Sequence, residues 1–456
     1  LFIQRPQQAA ARIVFMFTDG SRARTPSQSA IRSAPIASIM KHSSIFRRCA
    51  ALLAPLPFIF AVGACTATTH SSWSADETDG ELGALQRWTA RAEQGNAEAQ
   101  FRLGMAYDEG RTVPSDPTEA ARWYRLAAEQ GHASAQNNLA LLFYEGRGVA
   151  RSYESAAHLY ALAADQGLAP AQSNLGVMHL YGQALPQDAE RARVLLSQAA
   201  EQGYAKAQRI LGSLYNEGLG TAVNSTIAAR WYRRAAEQGD APAQYQLALS
   251  YRAGNGVPQD SALALEWLER AANQGVAGAQ FVLGWTSLEG RDVEQDVDRA
   301  AKLFERAATS GLGAAQAQLG LMHLQGRGVS QNVDCAEHWL ELAAAQGVAL
   351  AQHNLGLMRL KGVAGPEHPA DAARWFKLAA EQGYAPAQLK LGVMYEHGRG
   401  VAQDSCAAWM WYSLGAAHGD EDCRARRTTL TSTMSAAQLE QAATMMQARQ
   451  RKSAGH

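Results

Sequence analysis

Cysteine is nearly missing from this chain: five occur in 456 residues. They are scattered, with no C-x-x-C pair and no Cys/His cluster at ligand spacing, which argues against a disulfide framework and against a zinc site. Charge of one sign is missing too, since 42 basic residues face 42 acidic ones and neither forms a long block. The electrostatic footprint that tracks a phosphate backbone is therefore lacking, and nucleic acid is not expected as a partner. Catalytic signatures are equally scarce. H-E-x-x-H, G-x-x-x-x-G-K-[ST], G-x-S-x-G and a G-x-G-x-x-G that opens a helix after a strand do not occur. No catalytic residue, metal or cofactor is expected.

What is there begins with a delivery segment. Residues 1–39 hold no sustained period and read as an over-extended start or as disordered chain. From Met40 the text "MKHSSIFRRCAALLAPLPFIFAVGAC" supplies basic Lys41, Arg47 and Arg48, then an apolar stretch, then small residues, which is the layout of a secretory signal. That stretch contains Pro55 and Pro57 and is shorter than the roughly 20 residues of a spanning helix. Its end, Val62-Gly63-Ala64-Cys65, resembles the bacterial lipobox. The resemblance implies cleavage over residues 40–64, lipidation of Cys65 and, because Thr66 follows rather than Asp, an outer-membrane address on the periplasmic side. Residues 65–81, rich in Thr, Ser and acidic side chains, read as a flexible tether.

The rest repeats. Gly95, Gly131, Gly167, Gly203, Gly239, Gly275, Gly311, Gly347, Gly383 and Gly419 stand 36 residues apart without exception. The first nine open nine repeats, numbered here in order, over residues 95–418. Five residues after each of the nine stands Gln, preceded by Ala, and three further on stands Leu, then Gly or Ala. Ala, Leu and usually a ring at i, i+4 and i+8 put one apolar stripe along a helix of about a dozen residues, helix A. Gly104, Gly176, Gly212, Gly284, Gly320, Gly356 and Gly392, with Ala140 and Ala248, let a second helix approach. A further glycine, such as Gly110 or Gly146, ends helix A. Asp116, Asp188, Asn224, Asp260, Asp296, Asn332 and Asp404 then share a register that suits the N-cap of helix B. Helix B reads A-A-x-W-Y-x-x-A-A, and its Trp123, Trp231, Trp267, Trp339, Trp375 and Trp411 are expected in the core.

A helix this short is marginal alone, and one hairpin cannot bury its own stripe. Stacking is required, so the expected fold is all-α: an α-solenoid, a superhelix of stacked antiparallel helix pairs. Residues 82–93 read as a leading B-type helix. The solenoid is expected over 82–430, followed by a C-terminal capping helix and tail over 431–456 that opens at Ser435 with a Ser-x-x-Gln capping box.

"AEQGYAPAQLKLGVMYEHGRGVAQD" followed by "AAWMWYSLGAAHGD" resembles the Sel1-like repeat family, relatives of the tetratricopeptide repeats. Cysteine-rich members brace each pair with a disulfide, at positions that hold Ala here. The resemblance implies a non-enzymatic scaffold for other proteins, with helix A on the concave face. Some cysteine-rich relatives suggest a rival, an envelope enzyme acting on peptidoglycan or β-lactams, but the sole S-x-x-K, Ser38 to Lys41, lies in the leader and has no S-D-N or K-T-G companion. A secreted effector that engages a host protein is the third reading.

Candidate binding residues follow from helix A's least constrained face. Seven residues past the frame glycine stand Arg102, Asn138, Asn174, Ile210, Gln246, Val282, Gln318, Asn354 and Lys390. Amides predominate, and an amide offers one acceptor and two donors to the backbone of an extended peptide. Arg102, Asn138, Asn174, Gln246, Gln318, Asn354 and Lys390 are therefore the expected contacts to a protein or peptide partner. His179 and His323, at a position that holds a ring in most repeats, read as core or boundary residues rather than metal ligands.

Overall fold

The computed structural model describes residues 81–454, apart from Arg111 and Arg291. The leader, Cys65 and the tether before residue 81 lie outside the described residues. Among the described residues every regular element is a helix, and the chain divides after Ala271 into two compact units.

The first unit carries α1 (Glu81–Glu93), α2 (Ala97–Glu109), α3 (Pro117–Glu129), α4 (Ala133–Glu145), α5 (Tyr153–Asp165), α6 (Ala169–Tyr181), α7 (Ala189–Glu201), α8 (Ala205–Glu217), α9 (Ser225–Glu237), α10 (Ala241–Ala253) and most of α11 (Ser261–Asn273). The second carries α12 (Ala277–Glu289), α13 (Val297–Thr309), α14 (Gly313–Gln325), α15 (Val333–Ala345), α16 (Ala349–Lys361), α17 (Pro369–Glu381), α18 (Ala385–His397), α19 (Ser405–Ala417), α20 (Glu421–Thr431) and α21 (Ala436–Ala454). Helices A and B alternate, and within each unit successive helices pack on one another, so the fold is an all-α solenoid.

The punctuation has the expected causes. Gly146 ends α4 in the left-handed region, at φ 73°, and its N–H donates to Leu142 O. The side chain of Asp188 accepts from Arg191 N–H, and Asn332 accepts from Cys335 N–H, so each satisfies an amide that the first turn of helix B leaves open. Ser152 caps α5 in the same way. His368, before α17, makes no side-chain cap bond.

Between the two helices of a repeat the spacing is set by the absence of a side chain. A Cβ on Gly104 would stand 2.6 Å from Tyr124 Cδ1, and one on Gly392 would stand 2.5 Å from Tyr412 Cε1. Each small residue in the middle of helix A thus faces the side chain twenty positions later on helix B: Tyr124, Leu196, Tyr232, Phe304, Leu340, Phe376 and Tyr412. Those side chains are the deep core, together with the alanines around them.

This corrects the expectation for tryptophan. Trp123 and Trp411 are buried, but Trp231, Trp267, Trp339 and Trp375 are only half-buried. Tryptophan precedes the core ring by one residue, about 100° around the helix, and so lies at the edge of the apolar stripe. Its exposed face is used by arginine: Arg234 lies 4.8 Å from the Trp231 ring centre and Arg270 4.5 Å from that of Trp267. The methionines two residues beyond the central glycine, Met178, Met322, Met358 and Met394, are buried as packing residues.

The last helix departs from the repeat. Ser435 N–H donates to Gln438 Oε1 while Gln438 N–H donates to Ser435 Oγ, which is the reciprocal capping box read from the sequence. From there α21 folds back onto α19. Arg449 lies 4.3 Å over the Trp411 ring and pairs with Glu381 at 2.8 Å, which is why this tryptophan is buried.

Candidate functional site

Side chains common to all repeats are committed to joining them. Gln136 Nε2 donates to Ala128 O at 3.2 Å, and Gln136 Oε1 accepts from Gln166 Nε2 at 2.8 Å. The same pair of bonds recurs at Gln100, Gln172, Gln208, Gln316 and Gln352. Each buried amide therefore ties helix A to the end of the preceding helix B and to the end of its own. This explains the repeated "EQG" and "AQ" together: the first glutamine serves the second. At Gln388 the donor is His418, and at Gln280 the position thirty residues on is Ser310, so Gln280 Oε1 has no hydrogen-bond partner.

The candidate residues at the variable position are not one site. Asn138 and Asn174 are brought together: Asn174 Nδ2 donates to Asn137 Oδ1 at 3.3 Å, Asn137 Nδ2 to Asn138 Oδ1 at 3.1 Å, and Asn138 Nδ2 to Tyr124 Oη at 3.2 Å. Tyr124 Oη continues to Asp108 Oδ2 at 3.4 Å, and Asp108 pairs with Arg147 at 3.0 Å. Burial and the Asp108 charge raise the Tyr124 hydroxyl well above its ordinary range, so it stays a donor. Arg102 pairs with Glu98 at 2.7 Å and lies 5.8 Å from the Trp88 ring centre. Burial acts to raise the Glu98 carboxyl, but the bonds from His132 and Arg102 hold it below the usual range. His132 Nδ1 accepts from Ala135 N–H, so its Nε2 carries the proton that faces Glu98 at 3.0 Å.

In the second unit the variable position is drier. Gln318 is only 6% exposed, and its Oε1 has no hydrogen-bond partner. Asn354 Nδ2 donates to Leu350 O of its own helix. Lys390 is half-buried and lies near His353; Gln246, in the first unit, is half-buried too. His353, one residue before Asn354, is 7% exposed between the Phe376 and Tyr384 rings, at 5.4 and 5.3 Å, and its Nδ1 has no partner. Burial, with the Lys390 charge adding to it, lowers its pKa to about 3, so the ring is neutral.

Reading the sequence missed Asn137, Asp108 and His353, because their positions hold different residue types from repeat to repeat and carry no periodic signal. His179 and His323 lie at the boundary, half-buried as expected, and His323 Nδ1 approaches Ser330 O at 3.3 Å. Among the described residues no group of three or more His, Cys, Asp or Glu could hold a metal ion, and no helix is long and apolar enough to cross a membrane. The face offers half-buried amides with spare donors and acceptors beside apolar side chains, which suits a peptide or a protein surface.

The "Sel1 repeat" family model matches nine consecutive segments, from residues 97–132 to 385–420. A solved protective antigen of uropathogenic Escherichia coli, described as displaying an SLR fold, is 31% identical, with a TM-score of 0.49, 80% of this chain covered and 86% of that one. A Sel1 repeat protein from Oxalobacter formigenes is 36% identical, with a TM-score of 0.50, 62% of this chain covered and 83% of that one. Among curated proteins none matches the chain significantly.

Proposed function

We propose, for a chain that belongs to the Sel1 repeat family, that it is a non-enzymatic scaffold which holds a protein or peptide partner along its helix-A surface. Repeats of this kind generally mediate contacts between proteins, and their fold is typically non-catalytic. The observation that carries the reading is the division of labour within a repeat. Glutamines, alanines and central glycines are consumed in joining helices, whereas the position seven residues past the frame glycine varies from Arg102 through Asn174 and Gln246 to Lys390 and is half-buried except at Val282 and Gln318, which are buried. A surface free to vary over a backbone held in register is how a solenoid acquires a specific partner.

The address is part of the proposal. The leader-like segment that ends in Cys65 supports a lipoprotein of the bacterial envelope, held on the periplasmic side of the outer membrane. Fatty-acid labelling of the full chain should be lost in Cys65→Ala, with release of the protein from the membrane fraction; unchanged membrane attachment would reject the anchor. For the binding surface, a photo-reactive residue at Gln246 or Lys390 should crosslink the partner in native cells. Crosslinks formed only from Lys377 on helix B would sink the helix-A reading.

A further inference from the structure

The helix-A ends of repeats three and four carry exposed apolar side chains and, among the described residues, a carboxylate without a counter-ion. Tyr181, at the end of α6, is 67% exposed; Leu219 and Val223, just beyond α8, are 41% and 65% exposed. Glu217, the last residue of α8, stands one repeat after Tyr181 at the same register and is exposed. The site of a Cβ on Gly218 lies 2.8 Å from Val223 Cγ2, so Val223 folds back against the end of α8 beside Glu217. The residue two beyond the helix end reaches the preceding repeat: Tyr144 donates to Gln183 Oε1 at 2.9 Å, and Arg147 donates to Asp108 at 3.0 Å. By the same offset of 39 residues the counterpart of Leu219 on the preceding repeat is Leu180, next in sequence to Tyr181.

The reason to expect a cation is a comparison between repeats. In repeat two the corresponding glutamate, Glu145, is neutralised by Arg147 at 2.6 Å, two residues on. In repeat four the same two positions are Glu217 and Leu219. The guanidinium has been replaced by an exposed aliphatic side chain, and the carboxylate has kept its place with no hydrogen bond or ion pair among the described residues. Partial desolvation by its neighbours raises the Glu217 carboxyl, although the residue as a whole is exposed. An exposed tyrosine and an unpaired carboxylate at one register of adjacent repeats, with aliphatic carbon following, are the groups that take an arginine or lysine side chain.

We propose that this edge docks a basic segment of the protein partner, with an arginine or lysine over Tyr181 and against Glu217 and an adjacent aliphatic side chain over Leu219 and Val223. The proposal rests on the partner-binding reading above and names the chemistry of one contact. The probe is the fluorescent peptide acetyl-Leu-Arg-Leu-Arg-Leu-amide, with its Leu-Glu-Leu-Glu-Leu counterpart as control, titrated against the full chain at low salt. The arginine peptide should bind and the acidic one should not. Glu217→Gln and Tyr181→Ala should each weaken binding about tenfold. Leu219→Arg, which restores the pairing seen at Glu145, should compete internally and weaken it at least as much, whereas Leu378→Ala in the second unit should change nothing. Unchanged helical content by circular dichroism keeps these comparisons valid, and Leu219→Arg is the variant chosen to keep the fold. Equal binding of both peptides, no binding of either, or indifference to Leu219→Arg would overturn the proposal. If envelope extracts yield a partner that wild type and Leu219→Arg capture equally, this edge is not the contact although the scaffold reading survives; if they yield no partner, the scaffold reading itself fails.

Discussion

In the first unit helix A ends on Glu109, Glu145, Tyr181, Glu217 and Ala253; in the second the same register holds Glu289, Gln325, Lys361 and His397. One edge is largely acidic, whereas the other turns basic toward the C-terminus. The cores differ in a matching way. In the first unit Tyr124 donates to Asp108, sixteen residues before it, and Tyr232 donates to Ser213. In the second, Phe304, Leu340 and Phe376 stand opposite Leu288, Leu324 and Leu360, and only at Tyr412 does the hydroxyl return, together with its acceptor Glu396 at 2.5 Å. At Tyr124, Tyr232 and Tyr412 the core hydroxyl meets an oxygen of helix A, as expected where a buried hydroxyl without a partner costs about 1–3 kcal/mol. Backbone spacing is common to both units, and polarity is traded pair by pair within it.

The strongest way to separate the units is acid. His353 in the second unit is buried neutral, with a pKa lowered from 6.5 to about 3. Between those values the unfolded chain binds the proton and the folded one does not, so the contribution is whole above about pH 6.5 and falls as pH drops toward 3. At roughly 1.4 kcal/mol per unit, His353→Phe should be more stable than wild type by about 3 kcal/mol at pH 4, beyond any difference seen at pH 7. Urea titrations at the two pH values check this. A gap that does not widen would mean the ring finds a partner when protonated.

Next in size is the transplanted hydroxyl. Phe376→Tyr should cost about 2 kcal/mol, and adding Leu360→Glu should recover part of it, as at Tyr412 and Glu396. Additive effects in that double-mutant cycle would break the pairing rule. A smaller gain is expected from Ser310→Gln, which offers Gln280 Oε1 the donor that the other repeats have and should stabilise by about 1 kcal/mol, measured as slower hydrogen exchange at the end of α13. Smallest of all, Arg374→Ala removes an exposed pair with Asp371 at 3.2 Å and should stay within about 0.5 kcal/mol.

Much of this could be read in letters alone. The 36-residue register, the caps at Asp188 and Asn332, the close approach at Gly104 and the capping box at Ser435 all involve residues within a few turns of one another, or at a constant offset, so one repeat predicts the next. The tryptophans misled because a helix whose stripe is apolar on two adjacent positions does not say which of them points inward. Tyr124 takes the place opposite Gly104, where the missing side chain leaves room for its ring, and Trp123 stands one position round the helix. Asn138 and Asn174 were legible as polar, but their link through Asn137 was not, since it joins different positions of different repeats.

Periodicity was decided by residue order: a glycine of positive φ, a cap and a small central residue act through short-range sterics and local hydrogen bonds, which any copy of the unit must obey. Which side chains end buried, bonded or bare was decided only when neighbouring repeats met. Burial and long-range bonding depend on atoms supplied from elsewhere in the chain, and Gln316 and Gln280, alike in their own helices, differ because one met Gln346 and the other faces Ser310.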